Sequence, residues 1–230
     1  MAPTPREQPD GTARALLEGA TTELAPKPHA NPLVPLVADG RADRRALAAL
    51  AQEQCRVIPA DRRSFLHLAG RSGDAGLAAC AAFFGTLAEG EGVALDRLGP
   101  LLTACEVSAE RAAAYDPMAG CQAYPAYVAW LALNAEPADA VLALTANFAA
   151  WGGYCGTIAG ALRTHYGFSE EACGFFDFFA EPAPDVDRAG LAALQEGIDR
   201  QCLTPPTALR QGRLLQDYEE MFWGTLAGLA

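Results

Sequence analysis

Apolar residues recur at three-and-four spacing along most of this chain, and no stretch sustains the alternation of a strand, so the pattern predicts an all-α protein. The final stripe is the clearest: Leu215, Tyr218, Phe222, Leu226 and Leu229 fall on one helix face. At roughly 100° per residue, Glu219 lies about 60° from the middle of that stripe, and Glu220 points to the far side. One carboxylate therefore faces the interior beside Phe, Trp and Tyr, where it must find a partner or raise its pKa. That suits a small-molecule pocket; it also describes a boundary glutamate that reaches water or pairs with an arginine.

Earlier in the chain the same periodicity sets out the other elements. Residues 1–28 hold five prolines and are read as a flexible arm, or a segment that packs on a neighbour, with a short helix from Thr12 to Leu24. The remainder, 29–230, reads as one helical domain. Arg44 to Ile58 forms a helix in which Ala46, Leu50 and Val57 share a side and Glu53 falls within the stripe, a second inward acid. Pro59 ends or kinks it, and Arg62 to Ala69 continues helically. Leu77 to Gly90 is apolar on nearly all sides, as in a central helix. Ala94 to Cys105 follows, interrupted by Gly99-Pro100, and Ser108 opens a short helix before the boundary at Asp116-Pro117.

Tyr124, Tyr127, Val128 and Leu131 form the next stripe, with Pro125 expected in the first helical turn. Ala138 to Tyr166 is the longest predicted helix and contains Gly152, Gly153 and Gly156, each costing about 1 kcal/mol relative to alanine. They belong where a ligand or another helix comes close. Phe175, Phe176, Phe178 and Phe179 make an aromatic knot, and Asp187 to Cys202 forms one more helix before Pro205-Pro206.

Composition narrows the function classes. The 230 residues are 51% apolar, enough for a full core, and carry a formal net charge of −11. Arginine supplies almost all the positive charge, and the densest basic spot, 41–45, is too small for a nucleic-acid surface. No apolar run reaches membrane-spanning length, and the N-terminus lacks the apolar segment of a secretory signal. A cytoplasmic protein with no nucleic-acid or membrane partner is expected. The seven cysteines include no Cys-x-x-Cys pair and sit mostly among alanines and leucines. His29, His67 and His165 are scattered, so neither a zinc site nor another metal site is expected.

The order of these features resembles the TenA-like family, the thiaminase II enzymes. Tyr218-Glu219-x-Met221-Phe222-Trp223 looks like that family's closing motif, and Asn31-Pro32-Leu33 with Asp39-Gly40 like its opening. Gln52-Glu53, the segment Cys121 to Tyr124 with Tyr127, and Phe175-Phe176-x-x-Phe179-Ala180 resemble three internal segments. The resemblance runs from about residue 30 to the end. It implies a haem-oxygenase-like helical bundle, a homo-oligomer (dimer or tetramer), no cofactor, and an aminopyrimidine or thiamine substrate attacked by a cysteine. By that resemblance Glu53 would bind the pyrimidine's nitrogens, Tyr124 would contact substrate or orient the nucleophile, Tyr127 would join it in the ligand site, and Glu219 would shuttle protons. Phe179 stands where the family has a tyrosine.

The departure is the nucleophile: ungapped counting from Phe175-Phe176 puts Trp151 at the family's cysteine position, and tryptophan cannot attack carbon. Cys155, one turn on, points to the same face and is the displaced candidate. Three functions are compatible with this. The leading one is a diverged biosynthetic or salvage enzyme that holds a small ring between Trp151, Tyr124 and Phe179, with Glu53 and Glu219 as anchors and acid/base chemistry in place of the thiol. The others are a non-catalytic binding or regulatory protein, and a thiaminase-type hydrolase using Cys155.

Overall fold

The computed structural model describes residues 9–230, and the elements found there are helices throughout: α1 (Pro9–Glu23), α2 (Leu33–Ala38), α3 (Arg44–Asp74), α4 (Ala78–Asp96), α5 (Leu98–Ala104), α6 (Ala109–Ala113), α7 (Ala119–Asn134), α8 (Pro137–Tyr166), α9 (Glu170–Ala180), α10 (Pro184–Asp199) and α11 (Pro205–Ala227). Helix α3 packs on α4 and α7, α11 packs on α7 and α8, α8 carries α9, and α10 closes on α4. Two apolar cores result. One gathers α2, α3, α5, α9 and the end of α11 around Leu33, Leu50, Phe175 and Trp223. The other gathers α1, α4, α7 and α10 around Leu68, Phe83, Phe84 and Leu131.

Several sequence expectations change here. Pro59 neither ends nor breaks α3, which runs unbroken for 31 residues. A proline forfeits one ladder hydrogen bond, but the apolar face on both sides of it is buried, with Val57, Ile58, Phe65 and Leu68 each at most 5% exposed. Pro125 lies in the interior of α7 rather than its first turn. Helix α4 continues past Gly90 to Asp96. The stretch Ala78–Ala104 is long and apolar enough by composition to cross a bilayer, which the run-length reading missed because Glu89, Glu91, Asp96 and Arg97 interrupt it. It packs on α3, α9 and α10.

The described part of the N-terminal region is no free arm. Residues 1–8 lie outside the described residues, but Ala13, Ala20 and Leu24 are buried against α8 and α10. A Cβ on Gly212 would lie 2.5 Å from Leu24 Cδ1, so a larger residue there would force the Leu24 side chain to shift. Gln216 donates to the Leu24 carbonyl, and Arg213 pairs with Glu23.

Polar links fix how the long helices sit. Thr204 N donates to Asp139 Oδ1 at 2.6 Å, holding the start of α11 to α8. Glu196 of α10 accepts from Ala79 N (2.9 Å) and Cys80 N (3.0 Å), satisfying two free donors at the start of α4. Arg163 bonds Asp177 Oδ2 at 2.6 Å and ties α9 to α8.

Candidate functional site

Helices α3, α4, α7, α8, α9 and α11 leave a cavity of about 490 Å³ between them. That volume suits a small molecule. From α3 the residues Gln54, Val57, Ile58, Asp61 and Phe65 line it, spaced three, four, seven and eleven along one face. Helix α4 contributes Leu87 and Glu91, and α7 contributes Tyr124. Helix α8 gives Asn147, Phe148 and Trp151, α9 gives Phe178 and Phe179, and α11 gives Glu219, Phe222 and Trp223. Among the described residues the lining contains no cysteine, histidine, lysine or arginine.

Four of the expected residues meet there. The Trp151 ring stands edge-on to Phe179 with centroids 5.4 Å apart, and lies 6.0 Å from Trp223. Gly152 permits this corner: a Cβ there would come within 3.0 Å of the Phe179 carbonyl oxygen. Glu219 faces the cavity as its helical phase requires, and Trp223 Nε1 donates to its Oε1 at 3.1 Å. Burial raises the Glu219 carboxyl above its ordinary value, and the indole bond only partly opposes this. Tyr124 lies in the field of three carboxylates. Its hydroxyl is pushed well up, by burial first and then by Asp61, Glu219 and Glu91.

Three expected residues are elsewhere. Glu53 is fully buried, but on the face of α3 turned away from the cavity. It accepts from Tyr115 Oη (2.8 Å), Met118 N (2.8 Å) and Gln122 Nε2 (2.6 Å). Together with Arg56, which donates to the Ala112 and Ala113 carbonyls, it holds the end of α6 and the start of α7. Three hydrogen bonds hold its oxygens to structure on a face away from the cavity, against the ring-anchor role that the resemblance implies.

Tyr127 also points away, stacked on Trp130 at 5.5 Å and against Tyr218 at 5.0 Å. Cys155 is fully buried and outside the cavity lining. Burial, then the negative charge of Glu219, pushes its thiol well above the ordinary range, the opposite of what a nucleophile needs.

Two acids missed by the sequence reading complete the site. Asp61 is 4% exposed, and its Oδ1 has no hydrogen-bond partner among the described residues; neither has Oε2 of Glu91. Burial raises both carboxyls well above their ordinary values, and Asp61 raises Glu91 further. Both were recoverable from phase, since Asp61 follows Gln54 by seven and Glu91 follows Phe84 by seven. Each acid lies just past a point that the sequence reads as a break, Pro59 as an end or a kink and Gly90 as an end. Among the described residues no three His, Cys, Asp or Glu side chains converge as a metal site would require.

These three raised carboxyls give the fold a pH signature. In the native state Asp61, Glu91 and Glu219 hold protons more tightly than in the unfolded chain. Their contribution to stability is fully present below the ordinary carboxylate range, near 3.8 to 4.5, and is lost as pH rises through the native values. Thermal melts from pH 4 to 8 should show wild type losing more stability with rising pH than an Asp61→Asn, Glu91→Gln double variant. Parallel curves would mean the two acids are not raised.

No family model matches the chain, and no curated protein matches it. Solved structures do. A domain of unknown function with a haem oxygenase-like fold from Shewanella denitrificans superposes with a TM-score of 0.64 at 12% identity, covering 94% of this chain and 89% of that one. A TenA homologue protein from P. horikoshii superposes at 0.59 and 14% identity, covering 97% and 100%. The fold implied by the sequence motifs is thus the fold observed, and the chain is an all-α bundle of the haem-oxygenase-like fold.

Proposed function

We propose that this chain is a diverged TenA-like enzyme that holds a small flat ring in the cavity and moves protons with Glu219. The observation that carries this reading is the setting of Glu219. It is one carboxylate fronting an aromatic cavity, its pKa raised by burial, with Oε1 fixed by Trp223 Nε1. A raised carboxyl can be a proton donor near neutral pH and a base after it has given the proton up. Tyr124, on the facing helix, positions the ring, while Trp151 and Phe179 supply the apolar walls. Motif order and the likeness to a TenA homologue support the family reading. Chemistry without a thiol is favoured because no cysteine lines the cavity and Cys155 is held protonated.

The absence of any nucleophilic thiol from the lining also favours a second reading, a binding protein that performs no reaction. Titration calorimetry with hydroxymethyl- and aminomethyl-aminopyrimidine, paired with product analysis, separates the two. For the enzyme, Glu219→Gln should retain affinity within about threefold and lose turnover by roughly a hundredfold or more. Tight binding without turnover in wild type would favour the binding protein. Binding of neither compound would remove the aminopyrimidine reading.

A further inference from the structure

The cavity's charge is one-sided. Asp61, Glu89, Glu91, Glu181 and Glu219 line it, and among the described residues no basic side chain does. Glu89 and Glu181 are exposed and belong to its rim, whereas Asp61 is 96% buried, from its 4% exposure, at the wall. Buried carboxylate oxygens are nearly always hydrogen-bonded. Here Oδ1 of Asp61 and Oε2 of Glu91 have no partner among the described residues. Two unpaired acceptors on adjoining helices, beside a cavity with aromatic walls, form a receptor lacking its donor.

We propose that Asp61 and Glu91 form a cation subsite, and that the ligand of this cavity is an organic cation with N–H donors, an amidinium or primary ammonium on a small flat body. This rests on the ring-binding reading above and adds the charge and orientation of the ring. An amidinium or ammonium offers two or more donors, enough for Asp61 Oδ1 and Glu91 Oε2 together. The Trp151 and Phe148 rings that line the cavity offer a cation π-systems whose attraction a neutral ring would not gain. Glu89 and Glu181 at the rim raise the local concentration of cations and repel anions. Glu219, on α11, is left to the reacting end.

Binding must be linked to protons. Tyr124 from α7 lies in the field of both acids, Glu219 from α11, Glu89 on α4 and Glu181 after α9 line the same cavity, and Arg62 on α3 lies beside Gly92 outside that lining. None of the described residues lining the cavity is a cation, burial raises both carboxyls, and an entering cation favours their ionised forms and so displaces protons to solvent. Affinity for a permanently charged ligand rises with pH until both acids are ionised.

Benzamidine and its neutral isostere benzamide are suitable probes, measured by titration calorimetry between pH 5 and 8 in buffers of different ionisation enthalpy. The expected result is at least a tenfold preference for benzamidine at pH 8, an affinity that climbs from pH 5, and proton release on binding. The preference should fall about tenfold in Asp61→Asn and in Glu91→Gln, and survive in Glu219→Gln. The wild-type pH series stands even if a variant folds poorly. Equal binding of both probes overturns the cation subsite and leaves the ring pocket standing. A preference lost only in Glu219→Gln moves the cation to that acid and overturns the assignment. Binding of neither probe overturns the subsite, and failure with the aminopyrimidines as well removes the ring pocket.

Discussion

Glu53→Ala is expected to lower the stability of this fold by about 3 kcal/mol, since three donors lose their acceptor in a buried place and each unsatisfied group costs about 1–3 kcal/mol. The donors are Tyr115 Oη, Met118 N and Gln122 Nε2. For a chain of this length that is a fall of roughly 6–12 °C in melting temperature. Glu53→Gln should lose about a third as much, because the amide oxygen still accepts and Gln122 can turn its own amide to match. Ligand affinity should change little in the glutamine variant, since Glu53 lies outside the cavity lining. The motif-based reading makes the opposite forecast of intact melting with abolished binding. Thermal melts and calorimetry on the same two variants decide between them.

Trp223→Ala should cost about 3–5 kcal/mol, the range for truncating a large buried aromatic. The indole is 1% exposed and touches three other aromatic rings, Phe222, Tyr154 and Trp151, at centroid distances of 5.1, 5.8 and 6.0 Å. Trp223→Phe is the more informative change. It keeps most of the packing and deletes only the bond to Glu219 Oε1. That bond holds the Glu219 pKa down against desolvation. Without it the carboxyl titrates at higher pH, and stability falls by about 1–2 kcal/mol. NMR titration of the Glu219 side-chain carboxyl follows the shift directly. An unmoved titration in Trp223→Phe would show that the indole does not set the acid's state.

The contrast between Glu53 and Glu219 marks how far a pattern of residues reaches. Both were read as inward acids, and both are inward. Periodicity says that a face is buried; it does not say whether another helix or an open space covers it. On α3 the faces differ by one residue's rotation: Glu53 meets α7 and the connection before it, while Gln54 meets the cavity. Asp61 and Glu91 were lost for a different reason. Local propensity predicts an end or a kink at Pro59 and an end at Gly90, where the loss is a few kcal/mol for proline and about 1 kcal/mol for glycine. Burying α3 against α4 outweighs that, so both helices continue and carry their acids into the cavity.

By itself the sequence determined the helical class, the opposite facing of Glu219 and Glu220, and the inward stripe of Tyr124, because these depend only on the 100° step of one helix. Through motif order it also brought together Trp151 and Phe179, whose rings lie 5.4 Å apart. Only the tertiary structure decided which acids share the cavity and which is spent on structure, and that Cys155 is sealed away. Those outcomes depend on where one helix lands on another, which is set by the summed packing of many side chains and the close approaches at Gly152 and Gly212.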